Sequence, residues 1–126
     1  MRANGSARLV LVVEDDLAIR SAIVAEFVAQ GWTTVEAGSG ETAVDLLTQQ
    51  PVDALVTDIQ LEGLMRGWDV AHAFRAARPH SPVVYTSGNT VEPSRCVDAS
   101  LFFTKPFSSR ELVMACGRLL RCSPQP

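Results

Sequence analysis

No apolar run in the sequence approaches the roughly 20 residues that a helix needs to span a bilayer, so no membrane partner is expected. A secretory leader is missing too. Met1–Arg8 holds two arginines, but the apolar stretch Val10–Val13 behind them is too short for an h-region and runs straight into acids. The expectation is a cytoplasmic protein. Positive charge is in deficit: 11 Lys and Arg stand against 14 Asp and Glu, for a net charge of −3 and a pI near 5.3. That balance argues against nucleic acid as the main partner. Cysteine is scarce, and Cys96, Cys116 and Cys122 form no CxxC pair and an odd count, which reads as reduced thiols. His72 and His80 lie eight residues apart with no third ligand in pattern, which reads as surface or packing roles and not as a zinc site.

What remains is ordinary for a folded domain. Hydrophobic residues make up 47% and charged ones 20% of 126 residues, enough for one core and one domain. Short apolar runs alternate with longer amphipathic ones. Leu9–Val13, Trp32–Ala37, Val52–Thr57, Pro82–Thr86 and Leu101–Thr104 read as strands. Between them, Leu17, Ile19, Ile23, Val24, Phe27 and Val28 form a helical stripe, with Asp16 as N-cap and Gly31 as stop. Glu41–Gln49 is a second helix, turned into by Gly38-Ser39-Gly40 and ended by Pro51. Gln60–Gly67 reads as a loop, and Trp68–Arg78 as a third helix with Val70, Ala71 and Phe74 inward. Asn89–Ser100 should hold a fourth helix, short or irregular because Pro93 interrupts it. A fifth helix follows Ser108 and runs to Leu120. Residues 1–7 are expected to be a flexible N-terminus, 8–121 the domain, and 122–126 a frayed tail. Five near-continuously apolar strands, each followed by a helix, imply a doubly wound α/β fold with a parallel sheet covered on both faces.

The polar residues that follow these strands carry the chemistry. Glu14, Asp15 and Asp16 end the first strand, Asp58 the third, Ser87 the fourth and Lys105 the fifth. Asp15, Asp58, Ser87 and Lys105 are 43, 29 and 18 residues apart along the chain. In an open α/β sheet they would nevertheless meet on one rim, where such folds bind ligands. Several carboxylates gathered there repel one another unless a cation is present. Oxygen donors without sulfur or imidazole suit a hard ion, and Mg²⁺ fits best. A carboxylate beside such an ion, with a lysine near, is a nucleophile suited to a phosphoryl group.

VLVVEDD (Val10–Asp16), ALVTDIQLEG (Ala54–Gly63), VVYTSG (Val83–Gly88) and FFTKPF (Phe102–Phe107) together resemble the signature blocks of bacterial two-component response-regulator receiver domains, across about residues 8–121. The resemblance implies a flavodoxin-like sheet of order 2-1-3-4-5 with five helices. It implies Asp58 as phosphoacceptor, Asp15 as direct Mg²⁺ ligand, Glu14 acting through water, and the Gln60 carbonyl as a further ligand. Ser87 becomes the hydroxyl that follows the phosphoryl group, Lys105 the cation beside it, Phe102 the aromatic switch, and the Lys105–Pro106 bond is expected cis. The sequence departs from the pattern in three places, one of them a loop to Gly67 about one residue longer than in chemotaxis receivers. Glu62 stands where a proline often follows the acceptor, and the Ser87–Lys105 stretch is shorter than in chemotaxis receivers. A histidine kinase or phosphotransfer protein is the implied phosphodonor, and the protein itself is expected to be a monomer or weak dimer. Because the sequence stops soon after the last helix, the expectation is a module without its own output domain, not an enzyme beyond its own phosphoryl transfer and dephosphorylation. A receiver segment of a hybrid kinase or a phosphorelay intermediate is the alternative. An aspartyl phosphatase is remote, since Gln60 stands where those enzymes need an acid. A flavodoxin-like cofactor binder would need a phosphate loop where this chain has three acids.

Overall fold

The computed structural model describes residues 7–88 and 93–122. The expected flexible N-terminus, the start of the fourth helix and most of the expected frayed tail lie outside the described residues. The elements run β1 Leu9–Val13, α1 Leu17–Ala29, β2 Thr33–Ala37, α2 Gly40–Gln49, β3 Ala54–Asp58, α3 Gly67–Ala77, β4 Val83–Ser87, a 3-10 turn Pro93–Arg95, β5 Leu101–Thr104 and α4 Ser109–Cys122. All strand pairings are parallel, and the sheet order is β2-β1-β3-β4-β5.

Strand alternation splits the core in two. Leu11, Val13, Leu55, Val83 and Tyr85 face one side and pack with Ala43 of α2 and Val70, Ala71 and Phe74 of α3. Val10, Val12, Ala54, Val56 and Val84 face the other and pack with Ile23 and Phe27 of α1 and Leu112, Val113 and Cys116 of α4. β3 and β4 are buried along their whole length, whereas the edge strands β2 and β5 are partly open. Near-continuous apolar strands are what a sheet covered on both faces requires.

Local signals set the helix ends. Asp16 caps α1 by accepting from the Ile19 N–H, and Gly31 follows the C-cap with φ +93°, a conformation open to glycine. Ser39 caps α2, and the Ser108 hydroxyl accepts from the Glu111 N–H at the start of α4. Within α1 the expected stripe needs correction. Ile23 and Phe27 are buried, but Leu17 and Val28 are exposed, because they sit at the margins of an arc that only its centre presses onto the sheet.

The expected count of five helices is also corrected. Among the described residues there are four α-helices, and a single 3-10 turn stands in the β4–β5 connection. Proline has no N–H for an α-helical bond, and the short connection leaves no length for a helix beyond it. The segment is instead anchored by side chains from α3 and β4. The Tyr85 hydroxyl accepts from the Val97 N–H at 3.0 Å, the Arg75 guanidinium donates to the carbonyls of Ser81, Asp98 and Ala99, and His72 Nε2 lies 3.1 Å from the Arg95 carbonyl. Arg95 in turn stacks over the Trp68 ring.

Candidate functional site

Parallel strands bring their carboxyl ends to one rim. Glu14 is the residue after β1, Asp58 the last of β3, Ser87 the last of β4 and Lys105 the first after β5. The register aligns Asp58 with Thr86, and Ser87 with Thr104. The Lys105 N–H donates to the Ser87 carbonyl at 2.8 Å, which fixes where the lysine leaves the sheet. The Lys105–Pro106 bond is cis. Phe102 is half-buried on β5, opposite Tyr85 in register, and packs on the α2/α3 side of the core.

Two of the acids are buried. Glu14 is 1% and Asp58 4% exposed, while Asp15 and Gln60 are exposed. The Lys105 ammonium joins the buried pair, donating to Asp58 Oδ2 at 2.9 Å and lying 2.8 Å from Glu14 Oε1. Burial alone would lower the lysine's affinity for its proton, yet its contacts with Glu14 and Asp58 outweigh that and raise its pKa. The other Asp58 oxygen accepts from the Gln60 N–H at 3.3 Å. Glu14 is gripped at three points: its N–H reaches the Ala37 carbonyl, its Oε2 accepts from the Asp16 N–H, and its carbonyl accepts from Arg20 Nη1. Burial pushes its carboxyl up to about 7, with the Asp58 charge adding to the rise and Lys105 and the Asp16 N–H opposing it.

Carboxylate oxygens of Glu14, Asp15 and Asp58 come within 4.8 Å of one another. The fit to a hard divalent cation is good. All the donors are oxygens, and Glu14 Oε1 is a buried oxygen whose contact with Lys105 is an ion pair without hydrogen-bond geometry. One ammonium leaves three clustered carboxylates under-compensated.

Several residues that shape this rim carry no sequence signal of their own. Arg20 reads as a solvated helix residue, yet it pairs with Glu36 and holds the Glu14 carbonyl. Glu41 accepts from the Leu64 N–H and so ties down the loop that follows β3. Gly67 belongs to α3 and not to the preceding loop; its N–H donates to the Ile59 carbonyl, and a Cβ there would collide with the backbone of Asp58 and Ile59.

A sequence model of the response regulator receiver domain matches residues 10–116. The chain belongs to that family. A probable transcriptional regulatory protein of Mycobacterium tuberculosis, TcrX, is 32% identical over 124 residues, which covers 95% of this chain and 53% of that protein. A response regulator receiver protein from Sinorhizobium medicae superposes with a TM-score of 0.89 at 29% identity, covering 93% of this chain and 97% of the other. The receiver domain of a Pseudomonas aeruginosa sensor histidine kinase, solved with magnesium in its active-site cleft, shares the fold at a TM-score of 0.77 and 24% identity, covering 92% and 99%. This receiver spans about half the length of the first curated relatives it matches. Receiver domains of two-component systems are phosphorylated, bind Mg²⁺ at an acidic site and interact with histidine kinases or phosphotransfer proteins. No described helix is long and apolar enough to cross a membrane.

Proposed function

We propose that this receiver takes a phosphoryl group on Asp58 from a histidine kinase or phosphotransfer protein in the cytoplasm, in a Mg²⁺-dependent reaction, and signals by protein–protein contact. The observation that carries the reading is the Lys105 ammonium shared between Asp58 and Glu14 at the carboxyl ends of the strands. An Asp58 carboxylate oxygen forms the new bond to phosphorus while the donor's phosphorus–nitrogen bond breaks, its electron pair returning to the imidazole. Lys105 then moves with the negative charge, from the carboxylate to a phosphoryl oxygen. Magnesium held by Glu14, Asp15, Asp58 and the Gln60 carbonyl would neutralise the charge that otherwise keeps donor and acceptor apart. The Ser87 hydroxyl donates to the phosphoryl group, and its movement frees space for Phe102 on the neighbouring strand, which carries the change to the outer surface. Water later cleaves the acyl phosphate. The chain catalyses this cycle on itself and turns over no separate substrate.

Acetyl phosphate with Mg²⁺ should add about 80 Da to the intact protein, the mass of one phosphoryl group. EDTA should prevent the addition, and Asp58→Asn should remain unmodified. Equal labelling of Asp58→Asn would overturn the assignment.

A further inference from the structure

The opposite end of the sheet holds a second polar feature. Arg8 precedes β1, Trp32 precedes β2, and the last turns of α4 pass beside them; together they line a cleft of about 280 Å³. Arg8 lies six residues from Glu14, so the cleft stands roughly 20 Å from the acidic rim along an extended strand. Arg8, Arg118 and Arg121 all face it. Among the described residues none of the three has an ion-pair partner. Glu26, on α1 one turn before the cleft-lining Gln30, accepts from Gln30 Nε2 and keeps its negative charge, but it does not itself line the cleft. Three unpaired guanidiniums on one small cleft run against the net charge of −3 of the whole chain.

Helix-dipole compensation accounts for part of this. Arg118 and Arg121 sit in the last turns of α4, where cations are favoured. It does not account for Arg8, which comes from the other end of the chain. Nor does it explain Gly117, a helix-interior glycine on the cleft lining that costs about 1 kcal/mol against alanine. A Cβ at 117 would meet only Arg121 Nη1, at 3.6 Å, an ordinary contact, so the fold itself does not require a glycine there. The walls are also preset: the Arg8 carbonyl accepts from both the N–H and the hydroxyl of Thr33, and Trp32 packs edge-on against Phe27.

We propose that this cleft binds a phosphorylated small molecule carrying two or more negative charges. Guanidiniums form paired, charge-assisted hydrogen bonds to phosphate oxygens, and an indole offers a surface for a planar base. The volume suits a ligand of nucleoside-monophosphate size. Such a ligand would report to the receiver at a place separate from Asp58.

The test uses the full chain with Trp68→Phe, which leaves Trp32 as the sole tryptophan, in EDTA so that the acidic rim recruits no phosphate through a metal. Pyrophosphate and AMP are titrated separately against indole fluorescence, with sodium chloride at matched ionic strength as reference. Saturable changes are expected with both probes. Tighter binding of AMP would assign the ring to Trp32, and tighter pyrophosphate an inorganic phosphate source; either supports the site. Arg118→Ala with Arg121→Ala should weaken binding by more than roughly tenfold, since each of the two lost charge-assisted contacts is itself worth about that much. Arg8→Ala, on a different element, should weaken it independently while the far-UV spectrum stays unchanged. No response beyond sodium chloride, or binding indifferent to all three arginines, would overturn the proposal.

Discussion

Gly67 and Asp58 meet backbone to backbone: a Cβ at position 67 would press into the Asp58 carbonyl and stand 2.8 Å from the Ile59 Cα. The first residue of α3 is therefore the floor under the proposed acceptor. The atoms in the way are main chain and cannot rotate aside. Gly67→Ala is expected to destabilise the fold by roughly 1–3 kcal/mol, the usual cost of overpacking. It should also slow phosphorylation more than stability alone explains, because relief comes through movement of the Asp58–Gln60 backbone. Urea denaturation alongside the acetyl phosphate labelling rate checks this. A variant with unchanged labelling and unchanged midpoint would show that the approach is not tight.

Lys105 is the single ammonium between Glu14 and Asp58. Breaking a fully buried ion pair costs roughly 3–5 kcal/mol, but this lysine keeps 23% of its side chain exposed. Glu14, held near 7, can also take up a proton when the cation is lost. Lys105→Met should therefore destabilise the metal-free protein by a smaller amount, about 1–3 kcal/mol. Added Mg²⁺ should then stabilise the variant more than the wild type, since it supplies the missing positive charge. Thermal unfolding in EDTA and in excess Mg²⁺ measures both; equal metal-induced shifts would count against the bridge.

Strands and rim were legible in the sequence because each is written locally: an apolar run sets the strand, and the polar residue that ends it sets the rim. Asp58 illustrates this, closing a fully buried strand while its carboxylate turns to the metal-suited cluster. What was not legible is long-range. Arg20 lies on a helix and acts on a strand end, and Gly67 acts on a residue nine positions earlier. The break at Pro93 in the β4–β5 connection was legible, but the 3-10 turn that replaces a fourth α-helix was not, because the order of this segment comes from Tyr85, Arg75 and His72, each on another element. Leu17 and Val28 follow the helical period but lie at the margin of the arc that presses onto the sheet.

Ala99 closes that connection with φ +55°. The left-handed region costs a non-glycine residue about 1–2 kcal/mol, and here the carbonyls of Asp98 and Ala99 are both held by Arg75. Glycine removes the strain, but its freer unfolded chain returns roughly 0.4–1 kcal/mol. Ala99→Gly should therefore stabilise the protein by up to about 1.6 kcal/mol. A rise in the urea midpoint at constant slope would confirm the gain, and a fall would mean that the residue is unstrained.

Tyr85 is wholly inaccessible, and its phenol is pushed up to about 12, chiefly by burial, with the Cys96 thiol adding and the Val97 N–H and Arg75 opposing. In the unfolded chain a tyrosine ionises near 10. Below that pH both states keep the proton and the contribution to stability is complete. Above it the unfolded state loses its proton first, so stability falls as pH rises toward the folded value. Tyr85→Phe removes this alkaline loss but leaves the buried Val97 N–H without its acceptor, at a cost of about 1–3 kcal/mol near neutrality. The variant should therefore start less stable, and its deficit against wild type should narrow between about pH 10 and about pH 12. Groups that do not interact with Tyr85 titrate alike in both proteins and cancel, so the difference between their urea midpoints reports the phenol together with its coupling to Cys96 and Arg75. Parallel curves across that range would show that the Tyr85 proton is not what the fold protects.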